Sequence, residues 1–336
     1  MASKIIAIVG ITGNQGSSVA DVFLKEPGWK VRGITRDPSK ESAKALASRG
    51  AEMVAGDLDD TESMKKALRG ANVIFGNTDF VQFMFDPATQ AQAKEQGRGV
   101  NELATEHEQV HAINLMDAVA ATADTLDLFI YSAFSDAKGW SKGKISYNLH
   151  FDVKWAAVEH LKASYPHVWA KTSLLQLVLF MSNWKSFPYA RPWKQSDGTY
   201  LYRFPMPADF KMPLVDPNAD TGNFVKALVN LPPQTNLMGA SVLTTWKEWC
   251  EIWGKVNGVQ CNYEESDPAE LEPMLEPAGL GPFGREMGDA FRYIVEFGNS
   301  GGDPTAVWPW DLDVKIERTT LEKYFRSQDW SSVLGS

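Results

Sequence analysis

Three glycines spaced three residues apart, Gly10, Gly13 and Gly16, follow an apolar run and precede a pattern typical of a helix. Because glycine lets the backbone turn tightly, such a turn can bring main-chain N–H groups and a helix N-terminus against a phosphate. A strand, a glycine turn and a helix in this order are the context that a dinucleotide-binding turn requires. The sequence therefore predicts that a diphosphate binds here. The residues assigned to this role are Gly10, Thr12, Gly13, Asn14, Gln15 and Gly16.

A second apolar strand over residues 29–35 ends in Arg36, and Lys40 follows shortly after. Nucleotide-binding folds place the group that reads the adenosine ribose at this strand end. A guanidinium suits a ribose 2′-phosphate, whereas a carboxylate suits a 2′-hydroxyl. We therefore expect NADP(H), with Arg36 and Lys40 as cofactor-binding residues. Asp37 keeps NAD open, and the alternative for both cations is a solvated loop.

The third strand closes with Asp57 and Leu58. Its end lies at the carboxyl edge of the predicted sheet, so both residues are expected to border an adenine ring. Asp57 equally suits the N-cap of the helix that begins near Thr61. Both interpretations of Asp57 are open at this point.

The segment His107-Glu108-Gln109-Val110-His111 matches H-E-x-x-H, a pattern that binds zinc on a helix. It lies in a predicted crossover helix without an evident third ligand, and patterns this short arise by chance. We expect a surface or packing role and no metal. The two cysteines, Cys250 and Cys261, suggest neither a disulfide framework nor a metal site.

Composition limits the classes of partner. The chain has 336 residues, a formal net charge of −9 and 44% hydrophobic residues, which suit a globular protein with a sizeable core. A nucleic-acid surface needs clustered Lys and Arg, so direct nucleic-acid binding is not expected. We recognise no signal peptide and no run of 18 apolar residues. The expectation is a protein without membrane contact, located in the cytoplasm or alternatively the nucleus.

Apolar strand patterns alternate with helical patterns through the first half of the chain. Such alternation predicts an α/β fold, a Rossmann-type doubly wound parallel sheet with helices on both faces. From about Phe180 onward prolines and aromatic residues become frequent and the alternation becomes irregular. We therefore predict an NAD(P)-binding domain over 1–180 and a smaller α/β substrate-binding region over 181–336, some segments of which can return to the sheet. Trp246, Trp249 and Trp253 share one helix face and are expected in the core.

An ordered set of short motifs extends over nearly the whole chain. It consists of the glycine run with Asn14-Gln15, Thr35-Arg36-Asp37-Pro38, Gly56-Asp57-Leu58-Asp59-Asp60, Asn77-Thr78-Asp79-Phe80, Tyr131-Ser132, His150-Phe151-Asp152-Val153-Lys154, Asn183-Trp184 and Ala219-Asp220-Thr221-Gly222. In this order the motifs resemble the NmrA-like family of atypical short-chain dehydrogenases/reductases. The resemblance implies a Rossmann core, a smaller C-terminal α/β region and a cleft between them. It also implies two kinds of function, since relatives include fungal oxidoreductases of secondary metabolism and non-catalytic NADP sensors that bind transcription factors.

The residues around Lys154 distinguish these two functions. Typical short-chain dehydrogenases carry Tyr-x-x-x-Lys, in which the lysine holds the nicotinamide ribose and the tyrosine protonates a carbonyl as hydride arrives. The resemblance gives the ribose role to Lys154, but the tyrosine position is His150. Histidine can act as the acid near neutral pH. A structural His150 is the alternative, because the sequence offers no obvious carboxylate to orient it.

Two further residues are candidates for the chemistry. A continuous helix would place Tyr147 on the same side as His150 and Lys154, where it could deliver a phenolic proton instead. Ser132, at the end of the fifth strand, occupies the place of the family serine that binds a substrate oxygen; an ordinary loop serine is the alternative.

The remaining expectations concern ligands. Asn77, Thr78 and Phe80 are expected to border the nicotinamide, and Phe80, Asn183 and Trp184 to contact substrate. The function expected is NADP(H)-dependent reduction of a small apolar or aromatic metabolite. A cofactor-sensing regulator with a protein partner is the second hypothesis, and an isomerase or cyclase without redox chemistry is the third. The sequence leaves the oligomeric state open.

Overall fold

The computed structural model describes residues 3–335, which contain fourteen strands and fifteen α-helices. The strands are β1 (Lys4–Val9), β2 (Trp29–Thr35), β3 (Glu52–Ala55), β4 (Val73–Gly76), β5 (Leu128–Ala133), β6 (Thr172–Leu177), β7 (Leu179–Phe180), β8 (Trp193–Lys194), β9 (Tyr200–Phe204), β10 (Met212–Val215), β11 (Asn236–Gly239), β12 (Val242–Thr244), β13 (Cys261–Glu265) and β14 (Ala306–Val307). The helices are α1 (Asn14–Phe23), α2 (Glu41–Ser48), α3 (Thr61–Leu68), α4 (Phe80–Met84), α5 (Pro87–Gln96), α6 (Val100–Ala120), α7 (Ala137–Trp140), α8 (Leu149–Ser164), α9 (Pro166–Trp169), α10 (Pro217–Val229), α11 (Trp246–Asn257), α12 (Leu271–Leu275), α13 (Gly281–Phe297), α14 (Leu321–Ser327) and α15 (Ser331–Leu334).

Eight of the strands form one sheet in the order β14-β11-β6-β5-β4-β1-β2-β3, and every neighbouring pair is parallel. The direction of winding reverses between β1 and β4, which opens a crevice at the carboxyl ends of these strands. The predicted fold class, a Rossmann-type doubly wound parallel sheet with a smaller C-terminal α/β region, is confirmed.

Helices cover both faces of this sheet because its strands are apolar on both sides. In β1, Ile6 and Ile8 lie in one hydrophobic cluster, together with Val19 of α1 and Phe224 of α10. The alternate residue Ala7 lies in a second cluster, which also contains side chains of α3, α6 and α8. The two clusters hold the strand ends, and therefore the residues that follow them, in fixed positions.

The C-terminal half builds two three-stranded sheets, β12-β10-β7 and β13-β9-β8. These sheets and α11, α13 and α14 enclose an aromatic core, in which Trp246, Trp249 and Trp253 are at most 4% exposed. The prediction that this tryptophan stripe is core is confirmed. Strands β11 and β14 return to the large sheet from beyond residue 180. The division into 1–180 and 181–336 as functional units stays a prediction.

Crossing a bilayer takes about 20 consecutive, mostly apolar residues. Helix α6 has 21 residues, but it carries Glu102, Glu106 and Glu108. Within residues 3–335, no helix combines the necessary length with sufficient apolar character.

Candidate functional site

A cavity of about 380 Å³ opens at the carboxyl ends of β1, β4, β5 and β6. The glycine turn and the strand ends line one side, and Phe283, Met287 and Phe291 of α13 line another. Many of the predicted site residues therefore meet in one cavity. They are Gly13, Asn14, Gln15, Asn77, Thr78, Phe80, Ser132, His150, Lys154 and Asn183.

The glycine turn has the geometry that close approach to a phosphate requires. Gly10 has a φ of +66°, in the left-handed region that favours glycine. A Cβ on Gly16 would lie 2.3 Å from the carbonyl oxygen of Gly10, so α1 can pack this closely on the turn only without a side chain there. Gly13 is the N-cap of α1 and offers no side chain to cap the helix.

The first N–H groups of α1 are consequently free for a ligand. Within residues 3–335, the N–H groups of Asn14, Gln15 and Gly16 have no protein acceptor. The Gln15 side chain lies against Asn77, 3.5 Å from Nε2 to Oδ1, and its own Oε1 is buried without a partner. Unpaired donors at a helix N-terminus suit an anion. The turn thus fits the diphosphate of a dinucleotide.

The loop after β2 presents cations. Arg36 and Lys40 are exposed, and neither side chain makes a hydrogen bond or ion pair within the described part of the chain. The Asp37 carboxylate instead accepts hydrogen bonds from the main-chain N–H of Ser39 (2.8 Å) and its hydroxyl (2.6 Å). These bonds lower the pKa of Asp37. An engaged Asp37 beside a free Arg36 favours a 2′-phosphate over a 2′-hydroxyl.

The capping interpretation of Asp57 is wrong. Asp60 is the N-cap of α3, because its carboxylate accepts from the N–H groups of Glu62 and Ser63. Asp57 instead accepts from the N–H of Asp59 in its own turn. Its expected position beside an adenine ring, together with Leu58, stays a prediction.

The H-E-x-x-H residues have separate roles. His107 stacks on Phe83, with ring centroids 5.0 Å apart, and His111 Nε2 lies 2.9 Å from Asp59 Oδ1. Ligand atoms of Asp57, Asp59 and His111 come within 4.8 Å of one another, but an exposed acidic group of this kind is common without an ion. Glu108 points away from both histidines toward Lys154. Both histidines therefore have contacts within the protein, His107 with Phe83 and His111 with Asp59.

Lys154 lies in a buried polar cluster at the cavity wall. Its ammonium donates to Glu108 Oε1 (2.8 Å), to the Thr78 carbonyl (2.9 Å) and to Thr78 Oγ1 (3.0 Å). Burial by itself lowers the pKa of Lys154, but the charge and hydrogen bond of Glu108, together with Tyr131 and Asp79, outweigh it, so the pKa lies above its usual value. All three ammonium hydrogens are engaged, and the lysine fixes the end of β4. Glu108 was not among the predicted site residues, because its motif suggests zinc chemistry and gives no sign of a pairing with Lys154.

His150 is oriented by a carboxylate that sequence reasoning also missed. Glu286 Oε1 accepts from the His150 main-chain N–H (2.8 Å) and lies 2.5 Å from Nδ1 of the ring. The second oxygen, Oε2, accepts from Asn101 Nδ2 at 2.8 Å. Glu286 is fully buried on α13, and 14% of the His150 side chain is exposed. The sequence offered no carboxylate to orient His150, which favoured a structural role. The folded chain supplies one in Glu286.

The helix that contains His150 begins at Leu149, so Tyr147 does not lie on one continuous helix with His150 and Lys154. Tyr147 precedes the helix, and its hydroxyl accepts from Asn101 Nδ2 at 3.1 Å. Burial raises the pKa of this phenol. Tyr147 does not belong to the cavity lining of the described chain. Of the two candidates for proton donor, His150 is therefore the one that lines the cavity.

The cavity around His150 is largely apolar. Ring centroids of Phe151, Phe134 and Phe80 lie 4.9, 5.6 and 5.8 Å from that of the imidazole. Ser132, at the end of β5, adds a polar group to the lining. The arrangement combines a place for a planar apolar molecule with a ring nitrogen that can exchange a proton.

Asn183 and Trp184 have different positions. Asn183 lines the cavity, as expected. Trp184 is excluded from the lining formed by the described residues: its ring stacks on Trp330 at 4.0 Å and its Nε1 donates to Tyr324. The indole packs into the aromatic core, and the expected contact of Trp184 with substrate stays a prediction.

Comparison with known proteins agrees with this geometry. The NmrA-like family model matches residues 2–331. The chain is 28% identical over 244 residues to the NmrA-like family domain-containing oxidoreductase notA of Aspergillus sp. (strain MF297-2), covering 69% of this chain and just under two thirds (66%) of that protein.

Solved structures share the fold at lower identity. NmrA, a negative transcriptional regulator, in complex with NADP is 17% identical, with a TM-score of 0.65 over 97% of this chain and 95% of that one; a complex of NmrA with NAD is also known. Citrobacter sp. triphenylmethane reductase complexed with NADP(H) is 17% identical, with a TM-score of 0.63 over 96% and 99%. Since the family model extends over nearly all of the sequence, this chain belongs to the NmrA-like family.

Proposed function

We propose that this chain is an NADP(H)-dependent oxidoreductase that reduces a small apolar or aromatic metabolite, with His150 as the proton donor. The observation that carries this proposal is that the glycine turn and the carboxylate-bound His150 open into the same cavity. A hydride donor and a proton donor have to approach one substrate from nearby positions. The similarity to notA of Aspergillus sp., which is named as an oxidoreductase, supports this class of reaction.

The nicotinamide of NADPH, when bound, supplies the hydride. The residues proposed to hold the cofactor start at the glycine turn, with Arg36 and Lys40 at the 2′-phosphate and Asp57 and Leu58 near the adenine. Asn77, Thr78 and Phe80 border the nicotinamide end of the cavity. Lys154 keeps this strand end in place and holds a positive charge beside it. The complexes of NmrA and the Citrobacter reductase with NADP or NADP(H) support this cofactor.

His150 performs the proton transfer in this proposal. Glu286 binds Nδ1, so Nε2 is the ring atom left for the substrate. When both nitrogens carry hydrogen, Nε2 donates its proton to the substrate atom that becomes more basic as the hydride arrives. Ser132 and Asn183 bind and orient the polar group of the substrate. The phenyl rings around His150 exclude water and favour a planar apolar molecule. The similarity to notA of Aspergillus sp., an NmrA-like family oxidoreductase, favours a metabolite of fungal secondary metabolism.

One observation favours the second hypothesis, a cofactor sensor without turnover. The ammonium hydrogens of Lys154 are all bound by Thr78 and Glu108, which leaves none for a ribose unless one bond is exchanged. NmrA, a relative by fold, is described as a negative transcriptional regulator. In this case the partner would be a protein as well as NADP(H).

A direct test uses purified protein, NADPH and a panel of enones, imines and quinones. Single-turnover mixing at stoichiometric NADPH, followed at the nicotinamide absorbance, should detect oxidation with at least one class. His150→Phe should lower the rate about 10²–10⁴-fold, the usual effect of losing a positioned acid. Tyr147→Phe is the matched control and should stay close to wild type. NADPH that binds but remains unoxidised throughout, while changing affinity for a protein partner, would instead establish the sensor.

A further inference from the structure

The His150 ring is held from two helices that are distant in sequence. Glu286 lies on α13, 136 residues beyond His150, and Asn101 lies on α6. We propose that Glu286 and Asn101 are positioning residues that fix the orientation and tautomer of the His150 ring, so that Nε2 is the nitrogen that takes up and releases the exchangeable proton. This inference deepens the proposed function and rests on it.

Two hydrogen bonds to one oxygen restrict the ring. Glu286 Oε1 accepts from the main-chain N–H and binds Nδ1 of the same residue, so the start of α8 and the imidazole share an anchor. A neutral imidazole that donates from Nδ1 has its lone pair on Nε2. The carboxylate therefore selects the tautomer in which Nε2 is the working nitrogen.

Asn101 restricts the carboxylate in turn. Its Nδ2 donates to Glu286 Oε2, and the same amide nitrogen lies within reach of the Tyr147 hydroxyl and the Pro282 carbonyl. The carboxylate thus has a different partner on each oxygen. Rotation of the carboxylate would break both bonds, which fixes the plane in which His150 is held.

Glu286 is buried against the same ring. Its carboxylate is fully buried, and within residues 3–335 the ion partner within 4 Å is His150. A buried carboxylate is costly without partners, so its contacts with the ring and main chain of His150 hold the two residues together. Phe80, Phe134 and Phe151 pack around the same ring. These contacts together fix the orientation of His150.

A spectroscopic test does not require turnover. The chain has five histidines, so protein labelled with [¹⁵N]histidine gives few ring signals, and His150→Phe identifies those of His150. In wild type with NADPH we expect Nδ1 to carry hydrogen and the neutral form to have its lone pair on Nε2. Glu286→Gln should shift these signals toward a mixture of tautomers. Unmoved signals would overturn the inference.

Kinetics with the substrate found in the panel gives a second readout. Glu286→Gln should lower kcat about 10²–10⁴-fold with little change in KM, within the range known for losing the partner that orients a histidine. Glu296→Gln is the matched control. It also removes a carboxylate from α13, but that carboxylate binds exposed Lys144 and not His150. Asn101→Ala, which leaves Glu286 in place, should give a smaller loss of kcat. It still tests the positioning role if Glu286→Gln fails to fold.

The two proposals fail in different ways. If no substrate is reduced but Glu286→Gln moves the His150 signals, the positioning role stands and the oxidoreductase does not. If wild type reduces substrate and Glu286→Gln is equally active with unmoved signals, the oxidoreductase stands and the positioning role does not. An equal loss of kcat in Glu296→Gln would mean that any change on α13 perturbs the site, which also contradicts the positioning role.

Discussion

Lys154 and Glu108 form a buried ion pair, 2.8 Å from Nζ to Oε1, in which the two side chains are 7% and 0% exposed. Thr78 binds both partners, since its hydroxyl donates to Glu108 Oε1 and accepts from Lys154. The pair thereby joins α6 and α8 to the end of β4, next to the cavity. We expect the pair to stabilise the fold and to hold this part of the cavity wall in place.

Breaking this pair by one substitution should destabilise the chain. Glu108→Gln leaves the Lys154 ammonium buried without its counter-charge, which costs about 3–5 kcal/mol in comparable pairs. Urea unfolding measures the loss. The double variant Glu108→Leu, Lys154→Met replaces both charges with apolar groups and should recover most of the stability while abolishing reduction. Wild-type stability of Glu108→Gln would contradict the buried pair.

Arg36 should determine the choice of cofactor. Arg36→Ala removes a charge-assisted hydrogen bond to the 2′-phosphate, so NADPH binding should weaken by about 1.5–3 kcal/mol while NADH binding changes little. Calorimetric titration with both cofactors measures this. Lys30→Ala, at an exposed position of β2, the strand that precedes Arg36, controls for general loss of positive charge. Equal affinity of wild type for the two cofactors would reject the assignment.

Gly13 and Gly16 of the glycine turn should respond differently to substitution. Gly13→Val should melt like wild type but lose thermal stabilisation by NADPH, because a Cβ at Gly13 lies 3.4 Å from the nearest protein atom and its branches meet the diphosphate. Gly16→Ala should lower stability by about 1–3 kcal/mol, because its Cβ would lie 2.3 Å from the Gly10 carbonyl. Thermal melts with and without NADPH distinguish them. Retained NADPH stabilisation in Gly13→Val would show that the turn faces another ligand.

Asp152 should make stability depend on pH. Burial raises its pKa to about 6 from 3.8, partly offset by Lys138. The folded chain therefore binds this proton more tightly than the unfolded chain, and Asp152 costs stability progressively as pH rises from about 4 to 6. Asp152→Asn should be more stable at neutral pH by about 1–2 kcal/mol, a figure reduced for partial exposure, with no gain near pH 4.

Urea unfolding across this pH range measures the effect of Asp152→Asn. Asp313→Asn, at an exposed position, is the matched control and should show no such trend. A constant difference between Asp152→Asn and wild type at all pH values would contradict the linkage.

Features encoded by local pattern could be predicted from the sequence. The glycine turn, the strand–helix alternation and the tryptophan stripe each depend on residues within about two turns of one another, which is the range over which periodicity is informative. The switch point between β1 and β4 follows from the same alternation and brings Gln15 to Asn77. The location of the cavity at these strand ends could therefore be predicted from the sequence.

Partners that come from distant elements could not be predicted this way. Glu286 reaches His150 across 136 residues, and no local pattern links an acid on one helix to the start of another. Glu108 lies in an H-E-x-x-H motif, which suggests zinc binding and not the ion pair with Lys154. Trp184 follows Asn183 directly, but the helical turn directs it to Trp330 instead of the cavity. Asp57 and Asp60 both suit a cap, and backbone conformation selects Asp60.

The late return of β11 and β14 to the large sheet has a consequence during synthesis. Strand β6 emerges from the ribosome with one edge unpaired, and β11, its partner, follows only after the whole segment between Leu177 and Asn236. At about 5–20 residues per second, the nascent chain exposes a hydrogen-bonding edge for some seconds. Truncation after residue 180 would make this exposure permanent. The segment that ends with β6 therefore depends on β11 to cover this strand edge and limit aggregation.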